Sequence, residues 1–561
     1  MPAKQELTQV EKDKLIIDPD FDFKELSEKF FEDLTANEIG MFKWSGVYHQ
    51  LQTRYFMIRL RMPAGIITSE QLFKAAKLAK DYAQNSLCIT TRQCLQFHWV
   101  RLPEIYKILD GMKEVGILTK NACGDVCRNV TSCSLQGVCP YEISETRKIV
   151  DAIADDSVIL DQQRNLPRKH KISVSGCEAA CGHPLMNCQG WVPVEKNIDG
   201  KKVIGWKFHA GGGLGSLPHL AKVIFDWVPE HLVVQVARAT IEIHNKYGNR
   251  RLRRYARLKI IVDKYGPKGF ADLVLETMKE AEVAGLNEIV IAANPTPALN
   301  KNPFEGQCVI PQKTDDLKTV RVMIDRSEMT GDEAAEFANL AEKYGNGELA
   351  MTVRQNVELR NIRASNVDTL LADLKAAGYR LEGFEHLPDI VSCVGTTMCN
   401  LAVSDTPLAY HRLLDELGND TELMNKVGPL RINLNGCPNS CGQHWVADIG
   451  LRGMRLQREQ GSEEGFGIFV GGCNDGDGHI GELVANVPAY GIADTVRRIV
   501  EIYLEKRTDD SDIFKDFARR IGGDGFGQLL MENPPKCLMV PDNEINVELN
   551  DLYKRVYVDA N

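Results

Sequence analysis

Eight of the cysteines in this chain fall into two sets with one spacing. Cys133, Cys139, Cys177 and Cys181 follow C-x5-C-x37-C-x3-C, and Cys393, Cys399, Cys437 and Cys441 repeat it with every member displaced by 260 residues. Self-similarity at so long a period marks an internally duplicated fold, because solenoid repeats run to only about 20–50 residues. Four thiolates delivered as two pairs suit an iron–sulfur cube, each iron of a [4Fe–4S] cluster taking one soft sulfur ligand. Two other readings exist for the same sulfurs. They could be small buried hydrophobes, or they could hold zinc, although zinc sites usually use closer C-x2-4-C pairs and an x5 pair joined to an x3 pair fits that pattern poorly.

The rest of the composition leaves room for an electron-transfer protein. With 561 residues, of which 43% are hydrophobic, the chain can bury several cores. The charged start MPAKQELTQVEKDK has no apolar stretch before a small-residue cleavage site, which argues against secretion. No run of about 18 apolar residues is present, so no membrane partner is expected. Sixteen cysteines without an export signal point to reduced thiols and to the cytoplasm. A formal net charge of −10 argues against a nucleic-acid partner.

Overlaying the two halves gives the organisation. Tyr55 to Met62 alternates like a half-buried strand, Ser69 to Ala83 has helical periodicity behind a serine N-cap, Leu95 to Trp99 returns as a strand, and a further helix begins near Pro103. The second half echoes this with Thr319 to Asp325, a helix from Gly331 to Tyr344, the segment MTVRQNVELR and a helix from Ser365 to Ala377. Each copy continues into its cysteine segment, a glycine-rich turn and a long helix (Glu230 to Tyr247; Gly491 to Lys506). The second cysteine pair of each set leaves a short strand (Lys171 to Val174; Arg431 to Leu434) on a glycine-flanked turn, where backbone N–H groups can approach sulfur.

Several motifs together resemble the sulfite/nitrite reductase hemoproteins, in which siroheme and a [4Fe–4S] cluster share one cysteine sulfur. They are the two cysteine pairs, Thr90-Thr-Arg-Gln-Cys-Leu-Gln-Phe-His, Gly124-Asp-Val-Cys-Arg-Asn-Val, Leu166-Pro-Arg-Lys-His-Lys and the arginine-rich segment from Asn249 to Lys259. The resemblance implies an α+β, internally duplicated pseudo-twofold fold, with two ferredoxin-like domains and two α/β domains that bind cluster and siroheme. The expected divisions are an N-terminal extension at 1–45, ferredoxin-like halves at 46–117 and 317–382, cluster domains at 118–293 and 383–531, a linker at 294–316 holding four prolines, and a tail at 532–561. The extension and tail are expected to wrap the surface.

The same resemblance supplies a site. Cys393, Cys399, Cys437 and Cys441 would hold the cluster, with Cys441 the thiolate shared with siroheme iron. Arg92, Gln96, His98, Asn129, Arg250 and Arg253 would cradle the carboxylate-rich siroheme, for which the fixed charge and forked geometry of arginine are suited. Taken alone, the arginine-rich segment (Arg250, Arg251, Arg253, Arg254, Arg257) could instead be a solvated helix face, the usual case for a charge run, or a nucleic-acid patch. Arg59 and Arg128 would bind the anionic substrate, and Lys169 and Lys171 would bind it and deliver protons. Arg61, two residues along the same strand face, is the alternative to Arg59. A shift of 260 residues puts Pro388, Pro429 and Arg431 at the places of Arg128, Lys169 and Lys171, with Asp325 or Met323 near that of Arg59, so the four-cation pocket is expected once per chain. The complete N-terminal quartet is similar to the dissimilatory two-subunit members. It implies a second [4Fe–4S] cluster at Cys133, Cys139, Cys177 and Cys181 with room for a silent siroheme, Cys127 being an alternative ligand and Cys123 and Cys188 spares.

The last lysine of LPRKHK, Lys171, resembles sulfite reductases, and an extra charge suits a dianion. The expected reaction is therefore six-electron reduction of sulfite to sulfide, with nitrite to ammonia at the same site as the alternative. A rival of another class is an iron–sulfur protein that only relays electrons or senses redox state, which would not explain the pocket cations. No GxGxxG follows a strand, so electrons are expected from ferredoxin or a separate reductase subunit.

Overall fold

A computed structural model describes residues 6–18, 20–162, 165–458 and 461–538. Backbone contacts divide it into two units, one running to Phe384 and including Cys473–Ile480, the other formed by Glu385–Gly472 and the chain from Gly481 onward.

In the first unit each ferredoxin-like half builds an antiparallel sheet under two helices. The first sheet orders Val47–His49, Tyr55–Arg59, Leu95–Arg101 and Ser86–Ile89, and the second orders Val309–Pro311, Leu317–Val322, Val357–Arg363 and Glu348–Met351. The halves then exchange strands. Ile66–Thr68 pairs with Glu348–Met351, and Glu328–Thr330 pairs with Ser86–Ile89, so each sheet gains its fifth strand from the other half. Helices Ser69–Tyr82 and Gly331–Tyr344 follow these lent strands, and one hydrophobic core serves both halves. The N-cap of the first helix is Thr68 and not the expected Ser69. Its hydroxyl accepts from Gln71 N at 3.3 Å in a capping box that Thr330 and Glu333 repeat.

These caps are 262 residues apart, two more than the cysteine quartets. The same offset relates Gln93 to Gln355, each on a turn with positive φ. Gln93 Nε2 donates to the Met351 carbonyl at 3.1 Å and Gln355 Nε2 donates to the Ile89 carbonyl at 2.9 Å. The glutamine of each T-x-R-Q motif is thus a reciprocal clasp between halves, and both amides are buried.

The cysteine spacing has a topological cause. In the first unit Thr131–Ser132, Ile172–Val174 and Gln189–Ile198 run parallel in a six-stranded sheet, with helix Thr146–Ala154 in the crossover between the first two. In the second unit Val391–Ser392, Ile432–Asn435 and Ile449–Arg458 do the same, with helix Thr406–Leu413 in the crossover. Parallel neighbours need such a crossover, which is what the x37 gap contains. One cysteine pair therefore follows the carboxyl end of each of two adjacent strands, where open α/β sheets present ligand sites. The remaining strands of each sheet are antiparallel, and the helices Leu258–Glu280 and Phe514–Glu532 pack against them.

Three expectations change. Residues 294–316 are no loose linker, since they contain the strand Val309–Pro311 and bury Phe304 and Ile310. The arginine-rich segment is not a helix face; a short turn at Arg253–Tyr255 precedes the helix Leu258–Glu280. The N-terminal extension does not merely wrap the surface, because Glu11 and Lys14 are buried in ion pairs. Beyond Leu538 the tail lies outside the described residues. Among the described residues no helix is long and apolar enough to cross a membrane.

Gln355→Leu leaves the Ile89 carbonyl buried without its donor, at an expected cost of about 1–3 kcal/mol. A lower midpoint in denaturant unfolding would show this, and an unchanged midpoint would refute the clasp.

Candidate functional site

The C-terminal quartet stands on turns that aim backbone N–H groups at sulfur. Gly436 N donates to Cys393 Sγ at 3.2 Å and Leu401 N to Cys399 Sγ at 3.4 Å. Gly395 has φ 55°, and a Cβ there would collide with Thr406. Burial pushes the Cys393 thiol up to about 12 and Cys437 to about 11. Such thiols keep their protons unless a metal takes the proton's place. Cys441 is exposed while the other three are buried or half-buried. The N-terminal quartet repeats the arrangement around a small cavity bordered by Cys133, Cys139, Cys177 and Cys181. Among the described residues no three His, Cys, Asp or Glu side chains are arranged to hold a single metal ion. Four thiols spread around a cavity suit a cube of metal and sulfide better than one zinc, whose bonds to sulfur are only about 2.3 Å. None of the sixteen cysteines is in a disulfide.

The proposed pocket cations of the first unit come together. Arg59 and Arg128 both donate to the Ala122 carbonyl, at 3.5 and 3.1 Å. Cys127 bridges in parallel to His170, and Arg128 N donates to the His170 carbonyl at 2.9 Å. Alternation along these extended segments puts Cys127 and His170 on one side, and Arg128, Lys169 and Lys171 on the other. His170 is buried against His244 and Gln189, whereas Arg128, Lys169 and Lys171 are half-buried. Burial pulls Arg128 down to about 10, so it remains a cation at neutral pH. Arg61, the alternative to Arg59, is elsewhere: the strand ends at Arg59, and Arg61 donates to the Ala154 carbonyl beside Asp155.

Gln96 grips Arg59. With its amide oriented to satisfy both partners, its oxygen accepts from Arg59 NH2 at 2.6 Å and Nε at 2.9 Å. His98 is buried with Nδ1 near Gln50 Oε1 at 3.3 Å, and burial followed by the nearby Arg59 lowers it to about 3, so it is neutral. His98 Nε2 and Asn129 Oδ1 are buried without a partner in the protein. Such atoms fit a polar cofactor edge, as a siroheme cradle requires. Other predicted cradle residues are occupied. Arg92 donates to Asn187 Oδ1 at 2.8 Å and to the Ile172 and Asn129 carbonyls. Arg253 pairs with Asp125 at 3.1 Å, and Arg250 with Glu11 at 2.7 Å.

Asp125 is the residue that sequence reasoning missed. It is fully buried and also meets Lys14 at 3.1 Å and Arg168 at 3.2 Å. Burial alone would raise its pKa, but Lys14, Arg253 and Arg168 override this and hold it well below the ordinary carboxylate range. Its place inside the GDVCRNV motif was a signal, since a lone acid beside the motif's own arginine needs a role.

The halves correspond by strand register more closely than by sequence shift. Arg59 pairs with Gln96, and Arg321 pairs with Glu358 at the equivalent position 262 residues on. Arg321, and neither Asp325 nor Met323, is therefore the counterpart of Arg59. Its guanidinium meets Glu358 at 3.1 Å. In the second unit Arg431, the counterpart of Lys171, is paired with Asp448 at 2.9 Å.

Comparison with known proteins agrees with this duplicated layout. The nitrite and sulphite reductase 4Fe-4S domain matches residues 123–282 and 385–536, and the nitrite/sulfite reductase ferredoxin-like half domain matches 48–115 and 310–377. An assimilatory ferredoxin-dependent nitrite reductase of Haloferax mediterranei is 31% identical, over 90% of this chain and 89% of its own length. A sulfite reductase [ferredoxin] of Mycolicibacterium paratuberculosis is 30% identical, over 88% and 90%. Cyanobacterial and plant relatives at similar identity carry the name ferredoxin–nitrite reductase. The solved structure of the Mycobacterium tuberculosis NirA protein superposes with a TM-score of 0.82 at 26% identity, covering 94% of this chain and 98% of that one. With both of its domain types present twice and in alternation, the chain belongs to the nitrite/sulfite reductase family of oxidoreductases.

Proposed function

We propose that this chain reduces nitrite to ammonia by six electrons, with Arg59, Arg128, Lys169 and Lys171 holding the anion and Cys441 tying a [4Fe–4S] cluster to siroheme. The observation that carries this is the shared face of Arg128, Lys169 and Lys171, beside an Arg59 that shares the Ala122 carbonyl with Arg128. When bound, siroheme supplies the coordination position for the anion and the cluster supplies electrons one at a time. Cys393, Cys399, Cys437 and Cys441 would hold the cluster, and His98 and Asn129 would meet the siroheme edge.

The side chains have separable tasks. Arg59 and Arg128 orient the anion and offset its charge, so that electron arrival is not opposed by repulsion. Lys169 and Lys171 can give up and regain a proton more readily than arginine, and oxygen leaves as water only if protons reach it. Ferredoxin is the proposed donor, as the names of the relatives suggest.

Relatives named for nitrite favour that substrate, whereas Lys171 favours a second reading, sulfite to sulfide, because it adds a charge suited to a dianion. Steady-state kinetics with both anions decides between them. A higher kcat/KM for nitrite is expected, and a higher value for sulfite would reverse the assignment.

Two substitutions test the pocket. Gln96→Glu copies the Arg321–Glu358 pair and should lower kcat/KM for either anion by about tenfold or more, with the visible spectrum unchanged. Unchanged kinetics would remove Arg59 from substrate binding. Lys171→Asn should lower kcat/KM for sulfite at least about tenfold, matching the loss of a charged hydrogen bond of about 1.5–3 kcal/mol, and affect nitrite much less. Equal losses for both would exclude Lys171 as the discriminating residue.

A further inference from the structure

We infer that the N-terminal quartet, Cys133, Cys139, Cys177 and Cys181, binds a second [4Fe–4S] cluster that carries no tetrapyrrole, because the chain itself fills the place where one would sit. This rests on the reading of the C-terminal quartet as a cluster site, and adds a separate redox centre to it.

The first argument is positional. The quartet borders one cavity of its own, at the carboxyl ends of two adjacent parallel strands. The strand ends and spacing that carry the C-terminal quartet recur here, every cysteine being displaced by the same 260 residues. A relic quartet kept only as buried hydrophobes would not need all four sulfurs around one cavity. Leu135 and Phe304 add an apolar wall to the cavity.

The second argument concerns what covers the cavity. Phe304, from the stretch between the duplicated halves, is buried to 4% exposure and packs with Cys133, Leu135 and Cys139, with Cys181 against the same cluster. Cys181 is the counterpart of Cys441, the sulfur assigned to siroheme iron, yet it is half-buried where Cys441 is exposed. The counterpart of the substrate arginine is also consumed. Arg321 donates to the Phe304 carbonyl at 3.3 Å and the Gln307 carbonyl at 3.4 Å, and its charge is cancelled by Glu358. Segment 303–307 and Glu358 thus close the symmetry-related site to both anion and macrocycle. The second cluster would accept one electron at a time from the external donor, which is oxidised as the cluster is reduced, without touching substrate.

Iron, acid-labile sulfide and siroheme are measured on anaerobically purified holoprotein, with EPR of the reduced protein. The expected result is one siroheme per chain and about eight cluster irons, four for each cubane, with two cluster signals. Cys139→Ser and Cys177→Ser, each made separately, should remove one signal and about four irons while siroheme content stays the same. One siroheme with only about four cluster irons in the unmodified protein overturns the second cluster and leaves the proposed function standing. Two sirohemes per chain overturn the plug. Absence of siroheme altogether would instead overturn the proposed function.

Discussion

One buried carboxylate, Asp125, makes the cation-rich lobe possible. Lys14, Arg168 and Arg253 converge on it within about 3.2 Å, and burying like charges together without such a centre would cost several kcal/mol per ion. It sits three residues before Arg128, so the segment that carries this half-buried guanidinium also carries the group that balances the neighbouring ones. Through Lys14 it fastens the N-terminal extension, and through Arg253 it fastens the arginine-rich segment. Arg253, which in sequence looks like part of a cofactor-binding patch, becomes in space a support of this acid.

Duplication gave two copies of each part, and charge separates their roles. Arg59 is fixed by an amide, which positions a guanidinium without adding negative charge, while Arg321 is fixed by a carboxylate. Lys171 lies on the same extended segment as Lys169, and its counterpart Arg431 pairs with the carboxylate of Asp448. A neutral partner preserves the electrostatic attraction for an anion and a charged partner removes it. Sheet topology, helix caps and cysteine-bearing strand ends survive in both copies, because the first two serve folding in either case.

Much of the architecture was legible early because it rests on local chemistry. The in-register cysteine quartets, the helix Gly331–Tyr344 and the strands before each C-x3-C pair follow from spacing and periodicity. The misreadings share one cause, which is that pairing partners lie far away in sequence. The T-x-R-Q glutamines have no assigned role until the strand exchange shows each reaching across to the other half. The proline-rich stretch 294–316 reads as a linker until Phe304 is seen against the cysteines. Arg321 was missed as the partner of Arg59 because the ferredoxin-like halves are offset by two residues more than the quartets, a difference that only strand register reveals.

By itself the sequence determined the duplication and the family, since both are written in residue type and spacing. Only the tertiary structure decided which arginines are neutralised, which glutamines join the halves and which cysteine-lined cavity Phe304 borders. Those outcomes depend on carboxylates, carbonyls and an aromatic ring brought from distant positions, and a buried charge is defined by its nearest neighbours in space.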